Sequence, residues 1–345
     1  MNNKLKPKAK RNVRKEFDYD LKLVEVQENA KLLQKKYNQA IRTIKSLEKK
    51  TEIVGGMKRT IQISQIKPRK SEGESEAVAV WVASDWHVEE NVDPKIVLGL
   101  NEYNMAISKD RSEQFFRTGL RITDILAKDI AIDTIVLALL GDFITNNIHD
   151  ELVEINEVAP MHATIYAQNL IASGIQYVLD NSKYNIVIPC HSGNHGRTTK
   201  TSQMSTENGH SLEYFMYIYL QDHFRNNKRV TFHIAEGFIS YLDVFDYKIR
   251  FMHGHTVRYG GGIGGMTIPI NKAIAGWDST GHADLTVMGH FHKFFDGGNF
   301  IVNGSMIGYN AYALSIKASF EKPKQALFLI DKKRGKTMTC PIMFD

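Results

Sequence analysis

Residues 77–87 read Ala-Val-Ala-Val-Trp-Val-Ala-Ser-Asp-Trp-His, an apolar run that ends in an acidic and an imidazole side chain. Consecutive apolar residues with valine at alternate positions are typical of a strand buried on both faces. The run is too short for a membrane-spanning helix, which needs about 18 apolar residues. We therefore predict a buried strand over Ala77–Ala83, with Asp85 and His87 just beyond its carboxyl end.

Four further short segments rich in Asp, Asn and His follow an apolar run or open a loop. They are Gly141-Asp142, Gly193-Asn194-His195, His253-Gly254-His255 and Gly289-His290-Phe291-His292. In open α/β sheets, ligands bind beyond the carboxyl ends of the strands, so five strand ends would bring their polar groups to one edge. A glycine precedes the polar group in three of the five segments, which lets the backbone turn tightly and approach a ligand.

Apolar runs alternate with amphipathic stretches in the chain after Ala77. The order strand, helix, strand implies right-handed crossovers and a sheet with parallel character. After about residue 229 the strands become closely spaced, which predicts a two-layered sheet core flanked by helices. The predicted strands are Ala77–Ala83, Thr134–Leu140, Asn185–Pro189, Val230–Ala235, Ile239–Phe245, Tyr247–Met252, Leu285–Met288, Asn299–Val302 and Ala326–Ile330, and the predicted helices lie at 110–128, 161–180 and 206–225.

The residue types in the five polar segments suit a pair of divalent metal ions. Imidazole favours zinc, iron, copper and nickel, whereas carboxylate favours manganese, magnesium and calcium, so a mixed set without thiolate fits Mn²⁺, Fe²⁺ or Zn²⁺. Paired ions about 3.5–4 Å apart clamp the attacking and leaving oxygens of a phosphoryl displacement and lower the pKa of a bound water. Each segment alone also fits an ordinary turn or cap, so the prediction of a metal-hydroxide-dependent phosphoesterase rests on their number and order.

The ordered set Asp-x-His, Gly-Asp, Gly-Asn-His, a single His and Gly-His-x-His resembles the signature of the calcineurin-like metallophosphoesterase superfamily, over residues 77 to about 310. The resemblance implies a four-layer α/β/β/α sandwich and two divalent ions, with Mn²⁺ expected first and Fe²⁺, Zn²⁺ or Mg²⁺ as alternatives. The implied ligands are Asp85, His87 and His292 for one ion, Asn194, His253 and His290 for the second, and Asp142 as the bridge. The resemblance also implies that His195 is the catalytic histidine, which contacts the phosphate and protonates the leaving oxygen.

Three positions around these motifs leave alternatives open. His253 directly follows its predicted strand and is taken as the ligand, while His255 either supports the ligands or has no role. The family usually has Asp or Glu after Gly-Asn-His, but this chain has Gly196, so either the usual acidic support of His195 is missing or an Asp or Glu from elsewhere replaces it. Arg197 either binds a phosphate oxygen of the substrate or lies on a surface loop.

The first 70 residues differ in charge from the rest of the chain. They contain 20 of the 44 Lys and Arg but 7 of the 38 Asp and Glu, which gives this arm +13 and the remainder −7. Apolar residues alternate at steps of three and four over 17–50, which predicts a long basic helix followed by a linker. We expect the catalytic domain to span 77–345.

The basic arm has two alternative interpretations. It suits a polyanionic partner such as nucleic acid, or it is a solvated tail that aids solubility. The 17–50 helix either pairs with a second copy in a homodimer or lies along the catalytic domain. The Gly-rich segment 260–265 is predicted to be a loop near the site that could cradle phosphate with its backbone N–H groups.

The cysteine content and the lack of long apolar segments indicate the compartment. Cys190 and Cys340 are far apart and form no disulfide framework, which fits a reducing environment. The basic N-terminus has no apolar segment behind it, so a secretory signal is not expected. We therefore expect a cytoplasmic protein without a membrane partner.

Within the superfamily, the chain looks similar to the DNA-repair exonuclease branch, the relatives of the bacterial SbcD nuclease subunit. This rests on the Gly-His-Phe-His form, the basic arm and the absent export signal; phage-encoded members look similar around Gly-Asn-His-Gly-Arg. The resemblance implies a nuclease that hydrolyses phosphodiester bonds. The alternatives are the same chemistry on a phosphoprotein, a cyclic nucleotide or another small phosphoester, and a non-enzymatic scaffold that keeps the metal fold.

Overall fold

The computed structural model describes residues 65–66, 76–258 and 265–344. The predicted basic helix over 17–50 and most of the Gly-rich segment 260–265 lie outside these residues, so both stay predictions. Among the described residues, no helix has both the length and the apolar character needed to cross a membrane.

The described residues form strands and helices in the alternating order that the sequence predicts, and every predicted strand is present with ends shifted by a few residues. The strands are β1 (Gln65–Ile66), β2 (Glu76–Ala83), β3 (Ala131–Leu139), β4 (Asn185–Cys190), β5 (Val230–Ile234), β6 (Ser240–Val244), β7 (Tyr247–Phe251), β8 (Leu285–Met288), β9 (Phe295–Asp296), β10 (Phe300–Val302), β11 (Lys324–Gln325), β12 (Leu327–Asp331), β13 (Gly335–Thr339) and β14 (Ile342–Met343). The helices are α1 (Met105–Leu126), α2 (Asp150–Ile155), α3 (Pro160–Asn181), α4 (Leu212–His223), α5 (Thr267–Asp278) and α6 (Ala311–Ser315), with a 3₁₀ turn at Glu207–His210.

The first six-stranded sheet has the order β13-β12-β2-β3-β4-β5. Its strands β2 to β5 are parallel, while β12 runs antiparallel to β2. Alternate residues of β2 serve opposite faces: Ala79 and Trp81 pack in the cluster that contains the helices α1 and α3, and Val80 packs toward the second sheet. This burial on both faces explains why the strand reads as a continuous apolar run.

The second six-stranded sheet has the order β1-β6-β7-β8-β10-β9. Ile249 and Val287 of this sheet join Val80 in one buried cluster, so the two sheets pack face to face. On the other face, Phe300 packs with Ile270 of α5. The layers are therefore helix, sheet, sheet, helix, which confirms the predicted four-layer α/β/β/α architecture.

Helix α5 corrects the sequence analysis, which predicted no helix between residue 225 and the C-terminal strands. The helix buries Ile270 and Ile274 against the outer face of the second sheet. It follows a glycine-rich segment and carries Pro269 in its first turn, where proline is tolerated because the N–H has no intrahelical partner there. Because glycine and proline usually interrupt helices, the short apolar face formed by Ile270 and Ile274 was not recognised as helical in the sequence.

Close packing of α1 on α3 depends on a glycine. A Cβ atom placed on Gly174 of α3 would overlap the ring of Phe116 on α1. Helix interiors otherwise disfavour glycine by about 1 kcal/mol relative to alanine. The position therefore sacrifices helix propensity for close contact between the two helices.

We expect Gly174→Ala to lower the free energy of unfolding by about 1–3 kcal/mol, because the added methyl group must displace Phe116 in a packed core. The matched control is Gly276→Ala in α5, where a Cβ atom would have nothing within 4 Å. That control should raise the free energy of unfolding by about 0.5–1 kcal/mol through helix propensity. Urea denaturation measures both values, and equal effects at the two positions would contradict the packing argument.

Candidate metal centre

Strands from both sheets deliver polar side chains to one edge of the sandwich. All seven predicted metal ligands and the predicted catalytic histidine follow the ends of strands β2, β3, β4, β7 and β8. Parallel pairing within each sheet aligns these carboxyl ends. The structure thus brings together, from five separate segments, the residues Asp85, His87, Asp142, Asn194, His195, His253, His290 and His292.

The first group of ligand atoms belongs to Asp85, His87 and His292. Their candidate ligand atoms all lie within 4.8 Å of one another. The Nε2 atoms of His87 and His292 are 3.2 Å apart, and His292 Nε2 is 3.3 Å from Asp85 Oδ1. Two ring nitrogens and a carboxylate oxygen at these separations can share one cation.

The second group contains Asp142, His253 and His290, whose ligand atoms also lie within 4.8 Å of one another. His253 Nε2 is 2.9 Å from Asp142 Oδ2 and 3.2 Å from Asn194 Oδ1. The other ring nitrogen, His253 Nδ1, lies 2.7 Å from the Leu140 carbonyl and donates to it. His253 Nε2 therefore faces two oxygen acceptors, an arrangement that needs either a proton or a metal ion between them.

Asp142 occupies the centre of the arrangement. It lies in the second group and also forms a third group with His87 and His195. Its Oδ1 accepts the backbone N–H of His195 at 2.8 Å, while its Oδ2 faces His253. The Asp142 carboxylate is thus placed between the two ligand groups, where one carboxylate can contact two cations.

Two glycines make room for the carboxylates. A Cβ atom on Gly193 would overlap Asp142 Oδ1, and a Cβ atom on Gly289 would lie 2.5 Å from Asp85 Oδ2. The glycines that precede the polar residues therefore allow backbone segments to pass directly over the buried carboxylates. Any side chain at either position would push a ligand out of place.

The backbone is strained at several of these residues. Positive φ angles occur at Asp85 (56°), His87 (48°), Asp142 (54°), His290 (71°) and His292 (51°). Such conformations cost of order 1–3 kcal/mol each for a residue other than glycine, and they concentrate at functional sites. Hydrogen bonds between the loops hold them: His87 N–H donates to the Asp142 carbonyl at 3.1 Å, and His290 N–H donates to the Asp85 carboxylate at 3.0 Å.

His87 has a support chain behind its ring. His87 Nδ1 lies 3.1 Å from Thr145 Oγ1, and that hydroxyl donates to Glu90 Oε2 at 3.2 Å. Because the hydroxyl hydrogen points to Glu90, the Thr145 oxygen accepts from His87 Nδ1–H. This tautomer leaves His87 Nε2 unprotonated, the form that a metal ion requires.

The Asp142 carboxylate and the neighbouring imidazoles shift one another's pKa values. Burial alone would raise the pKa of Asp142, but the neighbouring His253 and His195 imidazoles hold it well below the usual range. Burial would lower the pKa of His253, yet the Asp142 carboxylate raises it far above 6.5. Burial, with the nearby imidazoles of His195 and His292, lowers the pKa of His87. A protonated His253 thus neutralises Asp142 when no metal ion is bound.

Glu213 is a supporting residue that the sequence analysis missed. Its two carboxylate oxygens accept the backbone N–H groups of Phe143 at 2.6 Å and Gly193 at 2.7 Å, so it joins the loops after β3 and β4. Burial and the nearby Asp142 carboxylate raise the pKa of Glu213 to about 8. Its signal in the sequence is an acid within the apolar face of the 206–225 helix.

The group that directly contacts the His195 Nδ1 atom is not an acidic side chain. His195 Nδ1 lies 2.7 Å from the backbone carbonyl of Thr145 and donates to it. Gly196, where the resembling family has Asp or Glu, packs against Glu213: a Cβ atom there would lie 2.9 Å from Glu213 Cγ. The support expected from an acidic side chain therefore comes from a main-chain oxygen.

Arg197 and His255 lie beside the second ligand group. Arg197 Nη1 donates to the Asn194 carbonyl at 2.6 Å, and its Nε is buried without a hydrogen-bond partner among the described residues. Burial lowers the pKa of His255 to about 4, and its Nε2 is 4.0 Å from a Glu207 carboxylate oxygen. The groups of candidate ligand atoms include His253 and leave out His255.

The residues present fit two divalent cations. The donor set mixes imidazole, carboxylate and amide oxygen without thiolate, as intermediate divalent ions prefer. The inward-facing Nε2 atoms of His87 and His253 have their opposite ring nitrogens bound to oxygen acceptors, which prepares both for metal coordination.

No protein-family model and no curated protein sequence matches the chain. Among solved structures, it is similar to a conserved uncharacterized protein of Streptococcus pneumoniae described as a predicted phosphoesterase, at 12% identity over 77% of this chain and 97% of that chain, with a TM-score of 0.27. It is also similar to Vps29 of Chaetomium thermophilum, at 11% identity over 77% and 97% with a TM-score of 0.30. A dimetal phosphatase of Danio rerio shows 9% identity over 78% and 99%, with a TM-score of 0.35. At these identities and TM-scores, nothing about the site is inferred from the solved structures. The assignment of the site depends on the positions of its own residues.

We expect metal binding at pH 7 to release about one proton or more, because Asp142 raises the pKa of His253 so that its ring is protonated in the metal-free protein. Titration calorimetry with Mn²⁺ or Zn²⁺ in buffers of different ionisation enthalpy measures this number. His253→Ala should reduce the release, whereas His282→Ala, which removes an exposed histidine paired with Asp278, should not. A binding heat independent of the buffer would contradict the assignment.

Proposed function

We propose that the protein is a two-metal phosphoesterase, and specifically a nuclease that hydrolyses phosphodiester bonds in nucleic acid. The observation that supports this most is the convergence of seven candidate oxygen and nitrogen ligands, Asp142 among them, with the His195 backbone N–H bound to the Asp142 carboxylate. We also propose that the protein belongs with the SbcD-type exonuclease branch, which its sequence motifs resemble.

The proposed ion ligands follow the two groups. Asp85, His87 and His292 would hold one ion, Asn194, His253 and His290 the other, and Asp142 both. Two divalent ions in such a site supply Lewis-acid stabilisation of phosphoryl oxygens and lower the pKa of bound water. We propose Mn²⁺ as the native metal because carboxylate and amide oxygens accompany the imidazoles.

The remaining site residues are proposed to handle the proton and the phosphate. His195 Nδ1 is engaged by the Thr145 carbonyl, so Nε2 is the ring atom available to donate a proton to the leaving oxygen. Arg197 is proposed to bind a non-bridging phosphate oxygen, since its Nε has no partner among the described residues and guanidinium pairs well with phosphate.

The basic arm supports a polyanionic substrate, since residues 1–70 carry +13. The charge of −7 on the remaining residues favours a second candidate, a phosphatase or phosphodiesterase for a phosphoprotein, cyclic nucleotide or other small phosphoester. In that case the arm would serve assembly, for example a homodimer through the 17–50 helix. Sedimentation of the full chain at micromolar concentration tests the dimer.

We expect Asp142→Asn to lower kcat/KM by about 100-fold or more, because changes merely behind metal ligands already cost 10–100-fold. The assay is Mn²⁺-dependent hydrolysis across single- and double-stranded DNA, RNA and small diesters. The control is Asp180→Asn on the exposed surface of α3, where Asp180 accepts only from Gln176 among the described contacts. Unchanged turnover in Asp142→Asn would sink the proposal, and activity on small diesters alone would favour the second candidate.

Deletion of residues 1–60 should weaken oligonucleotide binding and flatten its salt dependence, by about 0.7–0.9 in logarithmic slope for each phosphate that the arm no longer neutralises. The deleted segment contains 17 Lys and Arg and 7 Asp and Glu. The cut spares β1, which pairs with β6, so the second sheet keeps its edge strand. Turnover of a small diester serves as the control, and an unchanged salt slope would show that the arm is not where nucleic acid binds.

A further inference from the structure

We infer that Glu89 is a positioning residue for His195, acting through the backbone of Thr145 and Asn146. This inference rests on the proposed function, in which His195 donates a proton to the leaving group. It concerns how the chain aims His195 without the acidic residue that Gly196 replaces.

The Glu89 carboxylate organises the loop that follows Asp142. Glu89 is fully buried, and its Oε1 accepts two successive backbone N–H groups, from Thr145 at 2.8 Å and from Asn146 at 2.7 Å. Asn146 has a positive φ of 57°, so the chain reverses sharply there. Because both N–H groups are fixed on one oxygen, the direction of the Thr145 carbonyl is fixed as well.

That carbonyl is the acceptor for His195 Nδ1, at 2.7 Å. Asn146 adds a second connection, since its Nδ2 donates to the His195 carbonyl at 2.8 Å and to the Arg197 carbonyl at 2.9 Å. The loop that Glu89 holds therefore contacts His195 at both its ring and its backbone. The ring is aimed by a neutral main-chain oxygen whose own position depends on a buried acid.

Glu90, the next residue, supports His87 rather than His195. Its Oε2 accepts from the Thr145 hydroxyl, which in turn binds His87, and its Oε1 accepts from Asn310. Thr145 thus binds His87 through its hydroxyl and His195 through its carbonyl. Loss of Glu90 would disturb a proposed metal ligand, whereas loss of Glu89 would disturb the aim of the proposed proton donor.

The two oxygens of Glu89 suggest an informative pair of variants. Oε1 makes both loop contacts, while Oε2 is buried without a partner among the described residues. Glu89→Met keeps the length of the side chain and removes both acceptors. Glu89→Gln keeps one carbonyl oxygen that can accept the same two N–H groups, so it is the conservative variant for a rescue.

The test compares two aryl phosphodiesters with Mn²⁺, one that releases p-nitrophenolate and one that releases phenolate. Protonation of the leaving oxygen matters for the poorer leaving group, so His195→Ala should slow the phenyl ester more than the nitrophenyl ester. Glu89→Met should reproduce this selectivity, with a loss of about 10–100-fold on the phenyl ester and about threefold or less on the nitrophenyl ester. Glu89→Gln should recover most of the lost rate.

The outcomes separate positioning from general damage. Equal losses on both esters in Glu89→Met, or no loss on either, would overturn the inference. If Glu89→Met does not fold, Glu89→Asp takes its place, because it keeps a buried carboxylate but shortens its reach to the N–H groups of Thr145 and Asn146. The same selective loss supports the inference, and an absent or non-selective loss overturns it.

A structural readout keeps the inference separate from the proposed function. In a crystal structure of the metal-free Glu89→Met protein, the His195 Nδ1 atom should lie beyond hydrogen-bonding distance of the Thr145 carbonyl. A ring that keeps the 2.7 Å hydrogen bond of the wild type overturns the positioning role. If the wild type hydrolyses no diester with any metal, the proposed function fails, and this structure alone decides whether Glu89 positions His195.

Discussion

The buried carboxylate of Asp142 is the group around which the described structure is organised. It is almost completely excluded from solvent, and an isolated carboxylate in such surroundings is strongly disfavoured unless cations and donors compensate. The compensation comes from the His195 N–H group and the His253 ring, each contributed by a different strand end. The absence of a side chain at Gly193 leaves the space this carboxylate occupies. The charge at Asp142 thus sets which residues can surround it.

Two buried acidic side chains support the loops around the Asp142 carboxylate. Glu213 and Glu89 each accept two backbone N–H groups, and each ties a loop of the site to the rest of the fold. Neither touches the ligand atoms of the centre in the contacts described. They hold the backbone that follows Asp142, a segment in which Asp142 and Asn146 have positive φ angles. The positive φ of Asp142 is therefore supported by hydrogen bonds to the backbone N–H groups that follow it.

The sequence predicted the layers and the position of each polar segment, because both depend on local patterns. Ala77–Ala83 is apolar on both faces in the sequence and in the structure, and Asp85 follows it directly. Helix α5 was missed because glycines and Pro269 masked its stripe. The support of His195 could not be predicted either, since it uses the main-chain carbonyl of Thr145, which carries no signature of residue type. Long-range contacts through backbone atoms are invisible to pattern analysis.

The two ligand groups draw on both sheets, and this has a consequence for cohesion. Asp85, His87 and Asp142 extend from the first sheet, whereas His253, His290 and His292 extend from the second. Apolar packing joins the sheets along their inner faces, but at this rim the ligand groups that meet are charged or polar. A cation bound there would link the two sheets through ligands from each. The ion could then leave only if the two sheets separate at this edge. Metal occupancy would therefore depend on whether the two sheets are packed together.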